Sequence, residues 1–420
     1  MSFQQGLSGL NASSKKLEVI GNNIANANTY GAKVARAEFA DVYAAALNGS
    51  GANNVGIGTN LAAVAQQFTQ GSINTTENPM DLAINGAGFF QVSDGKSPVS
   101  FTRNGQFKVD REGFIVNNTQ QRLMGYRADA QGVLQPGQAV ALQLPTGGVS
   151  PSPTTRIGVE MNLDARLATT APTAGAAIDF KDADTYNNAT SLTVYDAKGQ
   201  EVALTYYVQK SATDTWNVFA TANGTTVAGV AGAPLPVTTL VFPSNGSAPT
   251  SPAAPVSFNV PAAVNSQGAA TLPIPGVMLN VSKATQFGSV FGITDMRQDG
   301  FSAGLLTAIS IENNGIVTAR YSNGQSRPAG QIEISTFRNP QGLQPIGDNA
   351  WARTYASGDP ISGVPGDGNL GVLQAGALEE SNIDLTGELV DMITAQRIYQ
   401  ANAQTIKTQD QVLQTLVNLR

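Results

Sequence analysis

The two ends of the chain carry the same signal, a narrow apolar stripe at helical spacing. Phe3, Leu7, Leu10, Ser14, Leu17, Gly21 and Ile24 step alternately by 4 and 3, which places them along one seam of a helix. Leu389, Met392, Gln396, Tyr399, Ala403, Ile406, Asp410, Leu413 and Val417 repeat that kind of step at the other end. The sequence between reads as short strands and turns. The predicted fold class is therefore multidomain α+β: terminal helices pairing as a coiled-coil-like domain, with mainly β domains nested between them.

A seam of this kind can pack one helix on the other or pack both on neighbouring molecules. The first stripe is one residue wide at most turns, and Ser14 and Gly21 fill two of its places. Complete burial of a Leu, Ile or Phe contributes about 1.5–3 kcal/mol, while fixing each backbone residue costs about 1–2 kcal/mol. Isolated helices are marginal in water. The terminal segments are thus expected to be poorly ordered in a free chain and to gain order when neighbours cover them.

Composition narrows the chemistry. There is no histidine and no cysteine, so the usual zinc ligands, thiol nucleophiles, disulfides and the commonest general base are missing. Enzymes built on paired carboxylates or Ser-Lys pairs fit the composition, but no pair is singled out. Asp182 with Asp184, or Asp367 between Gly366 and Gly368, lack the spacing and closing Glu of a calcium loop. The lone fragments Gly56-Ile57-Gly58 and Gly86-Ala87-Gly88 lack the third glycine of a dinucleotide site and read as turns or bulges. No cofactor, no metal and no catalytic residue is predicted. The net charge of −6, with no basic run longer than Lys15-Lys16, argues against nucleic acid. The first 30 residues show no secretory signal, and no apolar run is long enough for membrane insertion. Only 13% of residues are charged, which suits large, weakly charged contacts.

The first helix is expected over about Ser2 to Asn26, stopped by Asn26-Ala27-Asn28-Thr29-Tyr30-Gly31. A second short helix is expected over Ala32 to Leu47, followed by a loop from Asn48 to Asn54. Leu82–Ile84, Asn85-Gly86 and Phe89–Val92 read as strand, turn, strand. Turn signals at Asn104-Gly105, Asp110–Gly113 and Asp129–Gly132 suggest a meander. Ser191–Tyr195 and Val202–Val208 flank Asp196–Gly199 as a hairpin, Trp216–Phe219 is a strand, and Asn223 to Pro255 is extended surface loop between short strands. Asn314-Gly315 turns another hairpin. Gly147–Pro153 and Ser357–Gly371 read as flexible connections and candidate hinges. The last helix is expected from Ser381–Asp384 to Leu419, capped by Ser381 or Asp384. These breaks suggest three domains: a helical core of 1–70 with 366–420, an inner β domain of 71–150 with 284–365, and an outer β domain of 151–283.

Several of these segments resemble one family. Gly21–Lys33 with Phe39-Ala40-Asp41, Met80–Phe90, Phe101–Phe107, Ser381–Leu385 and Gln396–Asn402 are similar, in order, to the motifs of the bacterial flagellar rod and hook axial proteins. The block from about Pro151 to Asn280, with Leu192–Asp196 and Asp214–Trp216, resembles the outer domain on the hook side of that family, so the chain is read as a hook subunit. The resemblance implies a helical homopolymer outside the cell, a curved flexible tube that carries torque from rod to filament as a universal joint. It implies as partners further copies of the chain itself, the flagellar rod, a hook cap protein, a hook-filament junction protein and the flagellar type III export apparatus. Leu7, Leu10, Leu17, Ile24, Leu389, Met392, Tyr399, Ile406 and Leu413 are then the expected subunit-interface residues. A distal rod subunit and a secreted carbohydrate-binding β protein are the rival readings.

Overall fold

The computed structural model describes residues 2–42, 56–129, 132–170 and 178–418. The chain divides into two compact units, the first comprising residues 1–146, 308–320 and 326–420, the second 147–307 and 321–325.

Both helices belong to the first unit. Helix α1 spans Ser2–Asn26 and helix α2 spans Leu385–Asn418. The chain leaves α1 through a turn in which Thr29 N donates to Asn26 O at 3.0 Å. Gly31 then adopts φ +72°, and a Cβ there would stand 2.5 Å from Asn104 N, so only glycine lets the turn lie against that loop. At the other end, Asp384 Oδ1 accepts from Thr386 N at 3.0 Å and caps α2.

The expected short helix after Ala32 is not formed. Ala35–Val42 is instead a strand, paired antiparallel with Gly58–Gln66. Its alanines are good helix formers, but an antiparallel ladder, broken by one bulge at Glu38/Phe39, to a partner some 20 residues on overrides that weak local preference. Residues 43–55, which include the expected loop at Asn48 to Asn54, lie outside the described residues.

A 13-stranded sheet forms the body of the first unit, its central path running through Ser326–Ile332, Arg122–Arg127, Phe89–Ser93, Ser100–Thr102 and Ala350–Ala352. Leu82, Phe90, Ile115, Leu123 and Ile332 are sealed in its main core. Phe89, Phe101, Phe337 and Trp351 form a smaller aromatic cluster, with edge-to-face contacts such as Phe101 on Phe337 at 4.7 Å. The strands Leu82–Asn85 and Phe89–Ser93 form as expected, but they do not pair with each other. The first pairs with Val372–Ala375, and the nearby Ile73–Thr75 pairs with Ala377–Glu379. Ser357–Gly371 is not a loose connection either: Ile361–Gly363 pairs with Ile334–Thr336, and Gly371 N donates to Ala87 O at 2.7 Å. At Asn314-Gly315 the hairpin closes with Gly315 at φ +83° and its N donating to Glu312 O at 2.9 Å.

The second unit packs two sheets around one core. Val256–Val260, Ile274–Asn280, Arg156–Asn162 and Gly292–Gln298 form one; Asn188–Tyr195, Glu201–Ala212, Thr215–Ala222, Thr225–Thr226 and Thr238–Val241 form the other. Alternation sets the facing residues: Ile157, Val159 and Met161 from the first sheet meet Val202, Leu204, Tyr206 and Trp216 from the second. The hairpin at Asp196–Gly199 and the strand at Trp216 form where the sequence places them. Gly147–Pro153 is pinned, since Val149 and Ser152 exchange backbone hydrogen bonds of 2.7–3.1 Å with Gly304 and Phe301. A stretch rich in Gly and Pro can thus be held by main-chain bonds that composition does not reveal.

Candidate functional site

Helices α1 and α2 lie side by side and run in opposite directions. Gly6 faces Ile406, Gly9 faces Asn402, Lys16 Nζ stands 4.0 Å from Asp391 Oδ1, and Asn23 Nδ2 donates to Glu388 Oε1 at 3.0 Å. The register leaves the turns of α2 beyond Asp410 running past the start of α1. A Cβ on Gly6 would come within 3.1 Å of Ile406 Cγ1, and one on Gly9 within 2.9 Å of the Asn402 carboxamide, so the two backbones approach closely over a strip of small residues.

That strip is displaced around α1 from the seam read in the sequence. The buried positions of α1 are Gly6, Ser13, Ile20 and Asn23, and on α2 Ala395 is buried. Leu10, Leu17, Ile24, Met392 and Ile406 are half-buried along its margins. Leu7, Leu389, Tyr399 and Leu413 remain 45%, 46%, 37% and 49% exposed. Phe3, Val390, Ile393 and Ile398 are exposed as well. The helix pair therefore comes closest at Gly6 and Gly9, buries Ile20 and Asn23 further along α1, and leaves much of its apolar stripe facing outward.

At the foot of the helix pair sits a buried polar clasp. Lys33 Nζ reaches Glu379 Oε1 at 2.5 Å and donates to Thr69 O at 2.7 Å. Arg103 NH1 meets Glu379 Oε2 at 2.9 Å, and NH2 donates to Gly86 O at 2.8 Å. The Lys33 and Glu379 side chains are fully buried and that of Arg103 is 5% exposed. Burial pushes the Lys33 ammonium below its ordinary range, while the Glu379 carboxylate beside it acts the other way. Glu379 Oε1 also accepts from Gly71 N at 3.0 Å, and Glu379 O accepts from Gly31 N at 2.9 Å. Asn382 completes the closure: its Oδ1 accepts from Val34 N at 2.8 Å and its Nδ2 donates to Gln67 O at 2.8 Å.

Asn23 links clasp and helices. Its Oδ1 accepts from Ala35 N at 2.9 Å, and its Nδ2 donates both to Ala35 O at 2.8 Å and to Glu388. Burial pushes the Glu388 carboxyl up, with the Asn23 bond opposing that shift. Nearby, a polar cavity of about 480 Å³ opens among Asn22, Asn26, Gln66, Asn349 and Trp351. Elsewhere in the sheet, Glu333 accepts from Tyr126 OH at 3.0 Å; burial raises the Glu333 carboxyl, and burial first and then this carboxylate push the Tyr126 phenol up to about 12.

Sequence reading located the helices but not the clasp. Lys33, Arg103 and Glu379 are ordinary charges in the chain, and a separation of 346 positions from Lys33 to Glu379 leaves no spacing to detect. The available signal was that Lys33 closes the Gly21–Lys33 motif and Asn382 lies within the Ser381–Leu385 motif, polar residues that the apolar seam does not account for. Among the described residues no three His, Cys, Asp or Glu side chains gather as a metal site, and no helix is long and apolar enough to cross a membrane.

Comparison with known proteins covers every part of this geometry. Residues 3–33 match the family described as flagella basal body rod protein, and 83–162 the flagellar hook protein FlgE/F/G D1 domain. Residues 162–301 match the flagellar basal body protein FlaE D2 domain, and 374–419 the flagellar basal body rod FlgEFG protein C-terminal family. Asn23, Lys33, Arg103, Glu379, Asn382 and Glu388 all fall within matched segments. Over their full lengths, the chain is 39% identical to flagellar hook protein FlgE of Salmonella typhimurium across 433 aligned residues, and 37% identical to that of Escherichia coli across 426. The hook protein of Borreliella burgdorferi is 32% identical over 451 aligned residues, covering 100% of this chain and 99% of the relative. The crystal structure of Helicobacter pylori flagellar hook protein FlgE2 shares the fold with TM-score 0.52 at 15% identity, over 73% of this chain and 100% of that one.

Proposed function

The chain belongs to the flagellar hook protein family, and on that premise we propose how its geometry serves the hook. It is a structural subunit of the flagellar hook, a part of the flagellum outside the cell. The helix pair acts as a coiled-coil-like inner element that polymerises with its neighbours into a curved, flexible tube. Torque passes along the tube through Leu7, Leu10, Leu17, Ile24, Leu389, Met392, Tyr399, Ile406 and Leu413. The chain is divided near residues 70, 150, 283 and 365 into the helical core, the inner β domain and the outer β domain. Rod, hook cap protein, junction protein and type III export apparatus are its partners, and no catalytic step is assigned to it.

The observation that carries this reading is the outward apolar stripe of the helix hairpin, on which Leu7, Leu389 and Leu413 are each close to half exposed. Such a row is covered at low cost by an identical row on the next subunit. A tube that bends while it turns also needs outer contacts that slide, and a surface with few charges has few desolvated ion pairs to rupture.

The test is negative-stain microscopy of polymers grown from the purified full-length protein and from a variant lacking residues 1–24. The full-length protein should form supercoiled tubes and the deletion none. Straight, rigid polymers would favour the distal rod reading. Retention of glycan binding by the deleted variant would favour the carbohydrate-binding one.

A further inference from the structure

The two buried cations of the clasp are made early in the chain and their shared anion late. Glu379 follows Lys33 by 346 residues and Arg103 by 276. At synthesis rates of about 5–20 residues per second, Lys33 waits roughly 17–70 s for its partner. Among the described residues, Glu379 is the one carboxylate in ion-pair contact with either cation. A buried charge deprived of its partner is strongly unfavourable, so neither cation is buried before Glu379 arrives.

The neighbouring backbone waits for the same segment. Gly31 N and Gly71 N find their acceptors on Glu379, Val34 N on Asn382, and the carbonyls of Gln67 and Thr69 their Asn382 donor. The strand Ile73–Thr75 has Ala377–Glu379 as its ladder partner.

From these contacts we infer that residues 379–382 are a completion latch, with Glu379 as its bolt: the turn after α1 and the foot of the helix hairpin close only on a whole chain. An unfinished chain then holds Lys33 and Arg103 in water and its first helix undocked. The apolar stripe of α1 is presented for assembly only when both chain ends exist. That last consequence rests on the polymer reading above; the latch itself does not.

The experiment compares the full-length parent with Glu379→Gln, which keeps the shape and removes the charge, and with the neutral triple variant Lys33→Met, Arg103→Met, Glu379→Met. Hydrogen exchange is read at the amides of Gly31 and Val34, with Leu204 and Val218 in the second unit as internal reference. Glu379→Gln should exchange at least about 100-fold faster at Gly31 and Val34 with the reference amides unchanged, because its two cations are left unpaired. The triple variant should recover at least about tenfold of the protection lost in Glu379→Gln, since no charge is left unpaired, while staying below the parent because Gly71 N loses its Glu379 acceptor. Parent-like protection in Glu379→Gln, loss of the second unit with it, or a triple variant as unprotected as Glu379→Gln would each overturn the latch. Seeded elongation is read in parallel: Glu379→Gln should stall and the triple variant resume. If the parent itself fails to elongate, the polymer reading falls and the exchange comparison still decides the latch.

Discussion

Replacing Asn23 tests whether the foot of the helix pair is held by one carboxamide. Asn23 is 2% exposed and makes three hydrogen bonds, two to the main chain of Ala35 and one to the Glu388 carboxylate. Neutral bonds of this kind contribute about 1 kcal/mol each, and one to a charged group about 1.5 kcal/mol or more, so Asn23→Ala should cost the first unit about 3–4 kcal/mol. For a unit of this size that corresponds to a melting temperature about 6–16 °C lower. Asn23→Asp keeps the shape but sets a second carboxylate where the Glu388 oxygen now lies 3.0 Å away. At neutral pH it should therefore be worse than alanine. Two carboxylates sharing a site bind a proton more tightly folded than unfolded, so the penalty is full above the raised folded values and vanishes below the unfolded ones, near pH 4. The measurement is differential scanning calorimetry of both variants between pH 4 and 8, with the second unit's transition as internal reference. The reasoning fails if Asn23→Ala melts within about 1 °C of the parent, far inside the shift expected. It fails equally if Asn23→Asp loses ground as the pH falls.

Other perturbations read other parts of the molecule. Glu333→Gln should stabilise the first unit at pH 7–8, because burial raises this carboxyl, and the gain should disappear by about pH 4, where the parent's carboxyl is protonated in both states; thermal melts across that range give the sign. Trp216→Phe leaves Gln286 Oε1, which accepts from the indole at 3.0 Å, without its donor in a sealed core. The second unit should lose about 1–3 kcal/mol in urea titration while the first is unchanged. Asp384→Ala removes the cap of α2 at about 1 kcal/mol, seen as faster exchange confined to its first turn. Leu389→Ser with Leu413→Ser should leave monomer melting within about 1 °C, since both side chains are about half exposed, yet reduce seeded elongation at least about tenfold.

Local order was legible where local chemistry decides it. The helix read over Ser2 to Asn26 spans those residues, and the one expected from Ser381–Asp384 begins at Leu385 with Asp384 as its cap. The Asp196–Gly199 hairpin followed from alternation around a turn signal. What failed was set by distant partners. Ala35–Val42 is a strand because Gly58–Gln66 lies beside it, and Leu82–Asn85 ignores its neighbour for Val372–Ala375. On α1 the sequence showed the largest side chains, and the eye follows Leu7 and Leu17. The helices approach most closely at Gly6 and Gly9 and bury Ile20 and Asn23, which lie off that stripe. The clasp stayed hidden because its members share neither neighbourhood nor periodicity.

The close approach of α1 to α2 at Gly6 and Gly9 has an effect on how such a subunit can diverge. A side chain larger than glycine at position 9 would meet the Asn402 carboxamide at 2.9 Å, so Asn402 would have to swing aside for the pair to keep its spacing. On the proposed assembly, changes at the exposed Leu7 or Leu389 would instead alter the grip between copies. On that reading, the fit within one subunit and the grip between subunits rest on different residues of the helix pair, and each can change without the other.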